Sequence, residues 1–200
     1  MSAEPRVPFV GLTGGMGAGK STALAALERL GAAVLSTDAV VHELYEGEPV
    51  REAIVKRWGE EVARDGVVDR AAVAKRAFSN EGERRWLEGL LWPLVGERVG
   101  NWLTEVRSRR PAPRAAVVET PLLFEAGMGG VYEATIAVIA DEGLRRERAA
   151  GRGHALAEER ASRQLSQEEK ARRASFAVRN DGSVEELEAQ LSRVLARISG

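Results

Sequence analysis

An eight-residue stretch near the N-terminus has the residue types and spacing needed to bind phosphate. It reads Gly14-Gly-Met-Gly-Ala-Gly-Lys-Ser21 and fits the pattern G-x-x-x-x-G-K-[ST] of a phosphate-binding loop, or P-loop. In this pattern backbone N–H groups surround the phosphate, the lysine reaches the β- and γ-phosphates, and the final hydroxyl binds Mg²⁺. Lys20 and Ser21 hold the last two positions, so the sequence predicts a nucleoside triphosphate site.

The segments on either side of this stretch are those that a P-loop requires. Residues 8–12 predict a short buried strand, and residues 22–30 predict a helix. The N-terminal end of that helix carries a partial positive charge, which favours an anion at the loop. A chance glycine-rich turn is the alternative, but the motif and its setting together favour phosphate binding.

Two carboxylates follow predicted strands. Asp38 comes after an apolar run at residues 32–35, and Glu119 comes after another at residues 115–118. Ligands of open α/β sheets bind beyond the carboxyl ends of the strands, where the P-loop also lies. Asp38 is therefore either a site residue or the N-cap of a helix starting at Ala39. Glu119 either holds a magnesium-bound water or is simply solvated at the strand end.

Strands alternate with helices along the chain, which predicts an α/β fold with a doubly wound parallel sheet. Five strands are expected, starting near residues 8, 32, 115, 135 and 176. Gly31 suits the C-terminal end of the first helix, and Ser183 suits the N-cap of a last helix reaching Arg197. The predicted core comprises residues 6–40, 112–142 and 174–200.

Two helical segments interrupt this core. Residues 41–111 contain all four tryptophans and no convincing strand, which predicts an inserted acceptor-binding subdomain; Pro93 there marks either a kink or a new helix. Residues 143–173 are highly charged and form either a solvated helix pair or a lid that closes over the triphosphate. The arginines of this region are Arg145, Arg146, Arg148, Arg152, Arg160, Arg163, Arg172 and Arg173.

Composition limits the function classes. A formal net charge of −1 argues against bulk nucleic-acid binding, and the lack of cysteine excludes disulfides and thiolate metal sites. No signal peptide or membrane-spanning stretch is recognisable. We therefore expect a cytoplasmic protein with no nucleic-acid or membrane partner, and a monomer because no long apolar surface stripe stands out.

The motifs together resemble the dephospho-CoA kinase family over about residues 9–195. The segment Gly11–Thr22 is similar to its P-loop, Pro121-Leu-Leu-Phe-Glu125 to a family motif, and Asn180-Asp-Gly-Ser183 to its final turn. Asp38 matches the second aspartate of an Asp-Ala-Asp motif. Further similarities are the helical-domain signature Asp65–Arg70 with Phe78, and Arg160 and Gln164 of the lid. The chain departs from the family pattern at three positions: Ser36, His42 and Trp92.

This resemblance implies phosphorylation of the ribose 3′-hydroxyl of dephospho-CoA by ATP, with Mg²⁺, inside a P-loop NTPase-type fold. Asp38 would accept or orient the hydroxyl proton, while Lys20 and lid arginines offset the developing charge. The implied nucleotide contacts are Gly14, Gly15, Gly17, Ala18, Gly19, Lys20, Ser21, Thr22, Arg148, Arg152 and Asn180, the last near the adenine. Ser21 and, through water, Glu119 are the implied magnesium ligands.

The residues leave two other functions open and disfavour a third. Another small-molecule or nucleoside monophosphate kinase would share the P-loop, the inserted helices and the lid. A non-catalytic ATP-binding regulator is compatible with the departures at Ser36 and Trp92. A GTPase switch is disfavoured because no guanine-reading Asn-Lys-x-Asp sequence is present.

Overall fold

The computed structural model describes residues 6–150 and 164–200. Within them the strands are β1 (Phe9–Gly14), β2 (Ala33–Ser36), β3 (Ala63–Arg64), β4 (Val67–Val68), β5 (Ala116–Glu119), β6 (Ala134–Ile139) and β7 (Phe176–Arg179). The α-helices are α1 (Lys20–Arg29), α2 (Thr37–Glu46), α3 (Glu48–Trp58), α4 (Arg70–Ala77), α5 (Glu81–Ser108), α6 (Glu142–Ala150), α7 (Gln167–Arg173) and α8 (Val184–Ser199).

The main sheet has five parallel strands in the order β2-β5-β1-β6-β7. β1 is central, and its Leu12 lies opposite Glu119 of β5 and Ile136 of β6. The predicted α/β class, the parallel sheet and its five strands are therefore confirmed. Strands of such a sheet are covered on both faces, which is why they appear in the sequence as short apolar runs.

One face of the sheet packs against α1 and α8. Val10 and Leu12 of β1 form this core together with Leu27 of α1 and Leu191 of α8, and all four side chains are fully buried. Alternate residues of a strand point to opposite faces, so Gly11 faces the other layer. A Cβ on Gly11 would lie 2.5 Å from Leu123 Cδ1, so this layer packs directly on the strand backbone.

The ends of two helices follow the predicted capping patterns. After α1, the Gly31 N–H donates to Glu28 O and the Ala32 N–H donates to Leu27 O, with Gly31 at φ 91°. This pair of bonds is a Schellman motif, and it needs the left-handed conformation that glycine readily adopts. At α8, Ser183 and Glu186 form a reciprocal capping box. Both predictions are confirmed.

The chain divides into two compact units, Met1–Ser36 with Trp102–Gly200, and Thr37–Asn101. The second unit, which overlaps the insertion predicted at residues 41–111, has its own apolar core. Of the two alternatives predicted for Pro93, a new helix is wrong, because α5 runs through Pro93 from Glu81 to Ser108. The core of this unit is formed by Val50, Ile54, Val62, Val68, Val73 and Leu91.

The expectation of no strand in this region is wrong. β3 and β4 form an antiparallel hairpin, joined by Asp65 at φ 51° and Gly66 at φ 76°. Two successive residues with positive φ are typical of a type I′ hairpin turn, which Asp-Gly favours. The Asp-Gly pair was therefore a usable signal, but strands of two residues are too short to show an alternating pattern.

The tryptophans of the second unit differ in exposure. Trp58 and Trp86 pack edge to face with ring centroids 5.0 Å apart, whereas Trp92 is 55% exposed. In residues 6–150 and 164–200, no helix combines the length and the apolar character that crossing a bilayer requires.

Candidate active site

The P-loop occupies residues 15–19, between the end of β1 at Gly14 and the start of α1 at Lys20. Gly17 and Gly19 both have positive φ, at 73° and 89°. A positive φ at every second residue turns successive N–H groups toward one side and forms a concave anion-binding nest. The local backbone therefore has the conformation that the motif predicts.

The N-terminal end of α1 adds a favourable field at the same place. Its first turn contains no acidic side chain, so nothing there offsets the positive end of the helix dipole. The Lys20 amine lies at the loop and donates to Gly15 O at 3.3 Å. A cation and a helix N-terminus thus converge on one loop, which is a suitable environment for a triphosphate.

The segments after β6 and β7 lie beside the P-loop. Asn180 is buried, and its Nδ2 donates to Ala18 O at 2.9 Å. Arg148, on α6, donates from Nη1 to Asn180 O at 3.0 Å. The structure therefore brings the predicted residues Arg148 and Asn180 together with the loop, through contacts with backbone carbonyls. Arg152, the second predicted lid arginine, lies outside the described residues, as do Arg160 and Arg163.

Asp181 joins the carboxyl ends of these two strands. Its carboxylate accepts from the Asp141 N–H at 2.5 Å and from Arg179 Nη1 at 2.8 Å. The backbone hydrogen bond from Asp141, the Arg179 hydrogen bond and the nearby positive charges lower the pKa of the Asp181 carboxyl. Asp181 is therefore a structural carboxylate that stabilises the start of α6.

Asp38 lies in the first turn of α2 and belongs to the second unit. The helix begins at Thr37, so the N-cap role predicted for Asp38 with a helix starting at Ala39 is wrong. Asp38 lies two residues after Ser36, the last residue of β2, in the chain. The predicted catalytic role of Asp38 stays a prediction.

The donors available for Mg²⁺ are oxygens. Ser21 is exposed in the first turn of α1, and Glu119 ends β5 with 8% exposure. Among the described residues no group of three or more His, Asp or Glu side chains gathers in one place. Mg²⁺ in phosphoryl-transfer sites commonly takes only one or two protein oxygens, with phosphates and water as the other ligands. The donor set therefore fits a nucleotide-bound magnesium ion.

Sequence reasoning missed a buried ion pair next to this site. Lys170 of α7 is completely buried, and its Nζ lies 2.9 Å from Glu125 Oε1 and 2.6 Å from Pro121 O. Thr13, one residue before the end of β1, also donates to Pro121 O at 3.2 Å. A solvated helix pair is therefore the wrong description of α7. No local signal identifies Lys170, because its partners are more than forty residues away in the chain.

The chain is similar to known proteins over most of its length. A family model described as dephospho-CoA kinase matches residues 8–186. The dephospho-CoA kinase of Anaeromyxobacter dehalogenans is 38% identical over 96% of this chain and 92% of its own length. That of Thermus thermophilus is also 38% identical, over 100% of this chain and 97% of the relative.

Solved structures agree as well. A Thermus thermophilus crystal structure is similar with a TM-score of 0.78 and 34% identity, covering 98% of this chain and all of the other. The dephospho-CoA kinase of Campylobacter jejuni (TM-score 0.61, 21% identity, 94% of this chain and 96% of the other) shares the fold. The family model and the full-length relatives together establish the family: the chain belongs to the dephospho-CoA kinases.

Proposed function

We propose that this protein transfers the γ-phosphoryl group of ATP to the ribose 3′-hydroxyl of dephospho-CoA, giving coenzyme A and ADP. The observation that carries the proposal is a P-loop with nest geometry at an uncompensated helix N-terminus, in a chain matched over residues 8–186 by the dephospho-CoA kinase family. Catalysis of this reaction consists mainly of positioning and charge stabilisation, so a site built from N–H groups and cations suits it.

The triphosphate is expected to lie in the P-loop. Its oxygens would accept from the backbone N–H groups of the loop, with Gly14, Gly15, Ala18 and Thr22 completing the set around Gly17 and Gly19. Lys20, which contacts Gly15 O in this structure, would donate to a phosphate oxygen when nucleotide binds. These contacts hold the γ-phosphoryl group in a fixed orientation for in-line attack.

Arg148 and Arg152 are proposed to offset the charge that develops on the transferring group. Arg148 supports this role because its guanidinium lies beside Asn180, whose side chain bonds the P-loop directly. Ser21 and, through water, Glu119 would hold Mg²⁺, which would supply further positive charge at the triphosphate. Asn180 is proposed to lie close to the adenine end of the nucleotide.

Asp38 is proposed as the group that accepts or orients the 3′-hydroxyl proton. The hydroxyl oxygen forms a bond to the γ-phosphorus while the bond from that phosphorus to the β,γ-bridging oxygen breaks. ADP leaves, and the proton passes to Asp38 and then to solvent. The position of Asp38 two residues after the end of β2 supports this assignment, because ligands of open α/β sheets bind beyond the strand ends.

The setting proposed for this activity is the cytoplasm, with the protein acting as a monomer on a small molecule. Size-exclusion chromatography with light scattering tests the monomer, whose expected mass is the 21.6 kDa of one chain. A stable dimer at micromolar concentration would contradict it.

Coupled ADP release with Mg-ATP tests the function against five acceptors: dephospho-CoA, adenosine, AMP, shikimate and gluconate. We expect turnover with dephospho-CoA only. Turnover with another acceptor would keep the P-loop chemistry but overturn the substrate. ATP binding without turnover on any acceptor would favour a regulator.

Asp38→Asn tests the proposed base. Turnover should fall at least about a hundredfold while ATP still binds, because the amide cannot accept the proton. Glu43→Gln is the matched control on the same helix, since Glu43 is exposed and pairs only with Arg98 among the residues described. Unchanged turnover in Asp38→Asn would remove Asp38 as the base.

A further inference from the structure

The outer side of the P-loop is held by two side chains that come from different strand ends. Arg145 of α6 donates from Nε to Met16 O at 3.0 Å, and Asn180 donates from Nδ2 to Ala18 O at 2.9 Å. The two carbonyls are two residues apart, so alternate peptide groups of the loop are fixed from outside.

The geometry of the peptide bond links these contacts to the phosphate side of the loop. In a trans peptide the C=O of one residue and the N–H of the next point in opposite directions. The peptides after Met16 and Ala18 are trans, since the described residues contain one cis peptide, at Arg110–Pro111. Holding the Met16 carbonyl outward therefore directs the Gly17 N–H into the concave side of the loop.

Close packing of α6 on the loop makes this contact specific. A Cβ on Gly15 would lie 2.7 Å from an Arg145 guanidinium nitrogen, and a Cβ on Gly17 would lie 2.3 Å from the Arg145 carbonyl oxygen. The first turn of α6 thus lies directly on the two glycines. These glycines serve the docking of α6 from outside as well as the approach of phosphate from inside.

We propose that Arg145 is a positioning residue for nucleotide binding, which keeps the Gly17 N–H directed at the phosphates by holding the Met16 carbonyl. It acts through the loop and does not touch the nucleotide. The proposal deepens the proposed function at the same P-loop, but it depends only on nucleotide binding and not on which acceptor is phosphorylated.

Arg145→Met and Arg145→Gln separate this role from a simple effect of charge. Methionine has about the same reach but no donor, so the Met16 carbonyl loses its partner. Glutamine is neutral, yet its amide nitrogen is as many bonds from the backbone as the arginine Nε and can donate to the same oxygen. The matched control is Arg146→Met, because Arg146 is exposed on the same helix and pairs with Glu142.

Isothermal titration of the full-length protein with Mg-ADP, and with inorganic pyrophosphate, measures the effect without turnover. We expect Arg145→Met to weaken both ligands about tenfold, or about 1.4 kcal/mol, the size of one hydrogen bond. Arg145→Gln should stay within about threefold of the parent, and Arg146→Met should be unchanged. In steady-state assays the KM for ATP should rise in Arg145→Met while the KM for dephospho-CoA stays constant.

Two outcomes would overturn the proposal. Unchanged pyrophosphate binding in Arg145→Met would show that the loop keeps its shape without the contact. Equal weakening in Arg145→Gln and Arg145→Met would assign the effect to the charge rather than to the hydrogen bond. Thermal unfolding without ligand accompanies each variant, and if Arg145→Met does not fold, loss of binding in a folded Arg145→Gln still refutes the hydrogen-bond role. Absence of turnover in the parent protein would leave these binding results unaffected, so it would contradict the proposed function alone.

Discussion

Replacing Lys170 with methionine is expected to lower the free energy of unfolding by about 3–5 kcal/mol. The Lys170 amine is fully buried and contacts the Glu125 carboxylate and Pro121 O. Methionine can fill much of the space of the lysine stem, so the loss comes mainly from the electrostatics. The variant leaves the carboxylate of Glu125 buried without its cation.

Apart from Lys170, the described surroundings of Glu125 offer its carboxylate few hydrogen-bond donors. Oε1 also accepts from the Leu165 N–H at 2.8 Å, whereas Oε2 is buried and accepts no hydrogen bond from the part of the chain that the structure describes. Without Lys170, one backbone N–H would be its remaining donor among the described contacts. An uncompensated buried charge costs several kcal/mol, which is a large fraction of the stability of an ordinary domain.

A double variant tests whether charge is the cause. Glu125→Gln with Lys170→Met removes both charges and keeps an acceptor for the Leu165 N–H. We expect this pair to lose only about 1–2 kcal/mol, less than Lys170→Met alone, because no buried charge is left unpaired. Arg172→Met is the control on the same helix, since Arg172 is exposed and pairs with Glu169; its loss should stay below about 1 kcal/mol.

Urea denaturation at pH 7 measures these differences, followed by circular dichroism and tryptophan fluorescence. Coincident transitions are required before a single free energy of unfolding is assigned. A loss below about 1 kcal/mol in Lys170→Met would show that the buried ion pair does not carry this stability. A double variant at least as destabilised as Lys170→Met alone would contradict the assignment of the loss to an unpaired buried charge.

Three further predictions concern the loop, a helix cap and pH. Gly17→Ala should weaken the binding of Mg-ADP at least about tenfold in titration, because Gly17 has φ 73° and a Cβ would meet the Arg145 carbonyl. Gly130→Ala is the control and should bind Mg-ADP normally, since no atom lies within 4 Å of a Cβ there. Ser183→Ala should lose about 1 kcal/mol in urea without changing turnover, since it removes one cap hydrogen bond. Burial lowers the pKa of the Lys170 amine below 10.5 against the opposing Glu125 charge, so the unfolded chain holds this proton more tightly. The free energy of unfolding should therefore have a positive slope against pH between the folded and unfolded pKa values of Lys170, and Lys170→Met should lack that slope. Equal slopes in the two proteins, or normal binding by Gly17→Ala, would contradict these expectations.

Much of the core was predictable because its signals are local. Buried parallel strands such as residues 116–119 and 134–139 are mostly apolar runs, and the P-loop is defined by the spacing of a few residues. The hairpin of the second unit carried an Asp-Gly signal, but its strands are too short for their pattern to be recognised.

Other features had no local signal. The burial of Lys170 depends on a carboxylate from a different part of the chain, and α7 is otherwise rich in charge. Arg145 acts on a backbone carbonyl, which no residue type in the sequence identifies. Tertiary packing alone distinguishes Arg145 from the other arginines that the structure describes.

A pair of acceptors that differ by one hydroxyl tests directly whether the ribose 3′-hydroxyl accepts the phosphoryl group. Coupled ADP release with Mg-ATP would be measured for dephospho-CoA and for its 3′-deoxy analogue, with the phosphorylated product located by phosphorus NMR. We expect turnover with dephospho-CoA, a single new 3′-phosphomonoester, and no turnover with the 3′-deoxy analogue. Comparable turnover with the analogue, or a phosphate on another position, would contradict it.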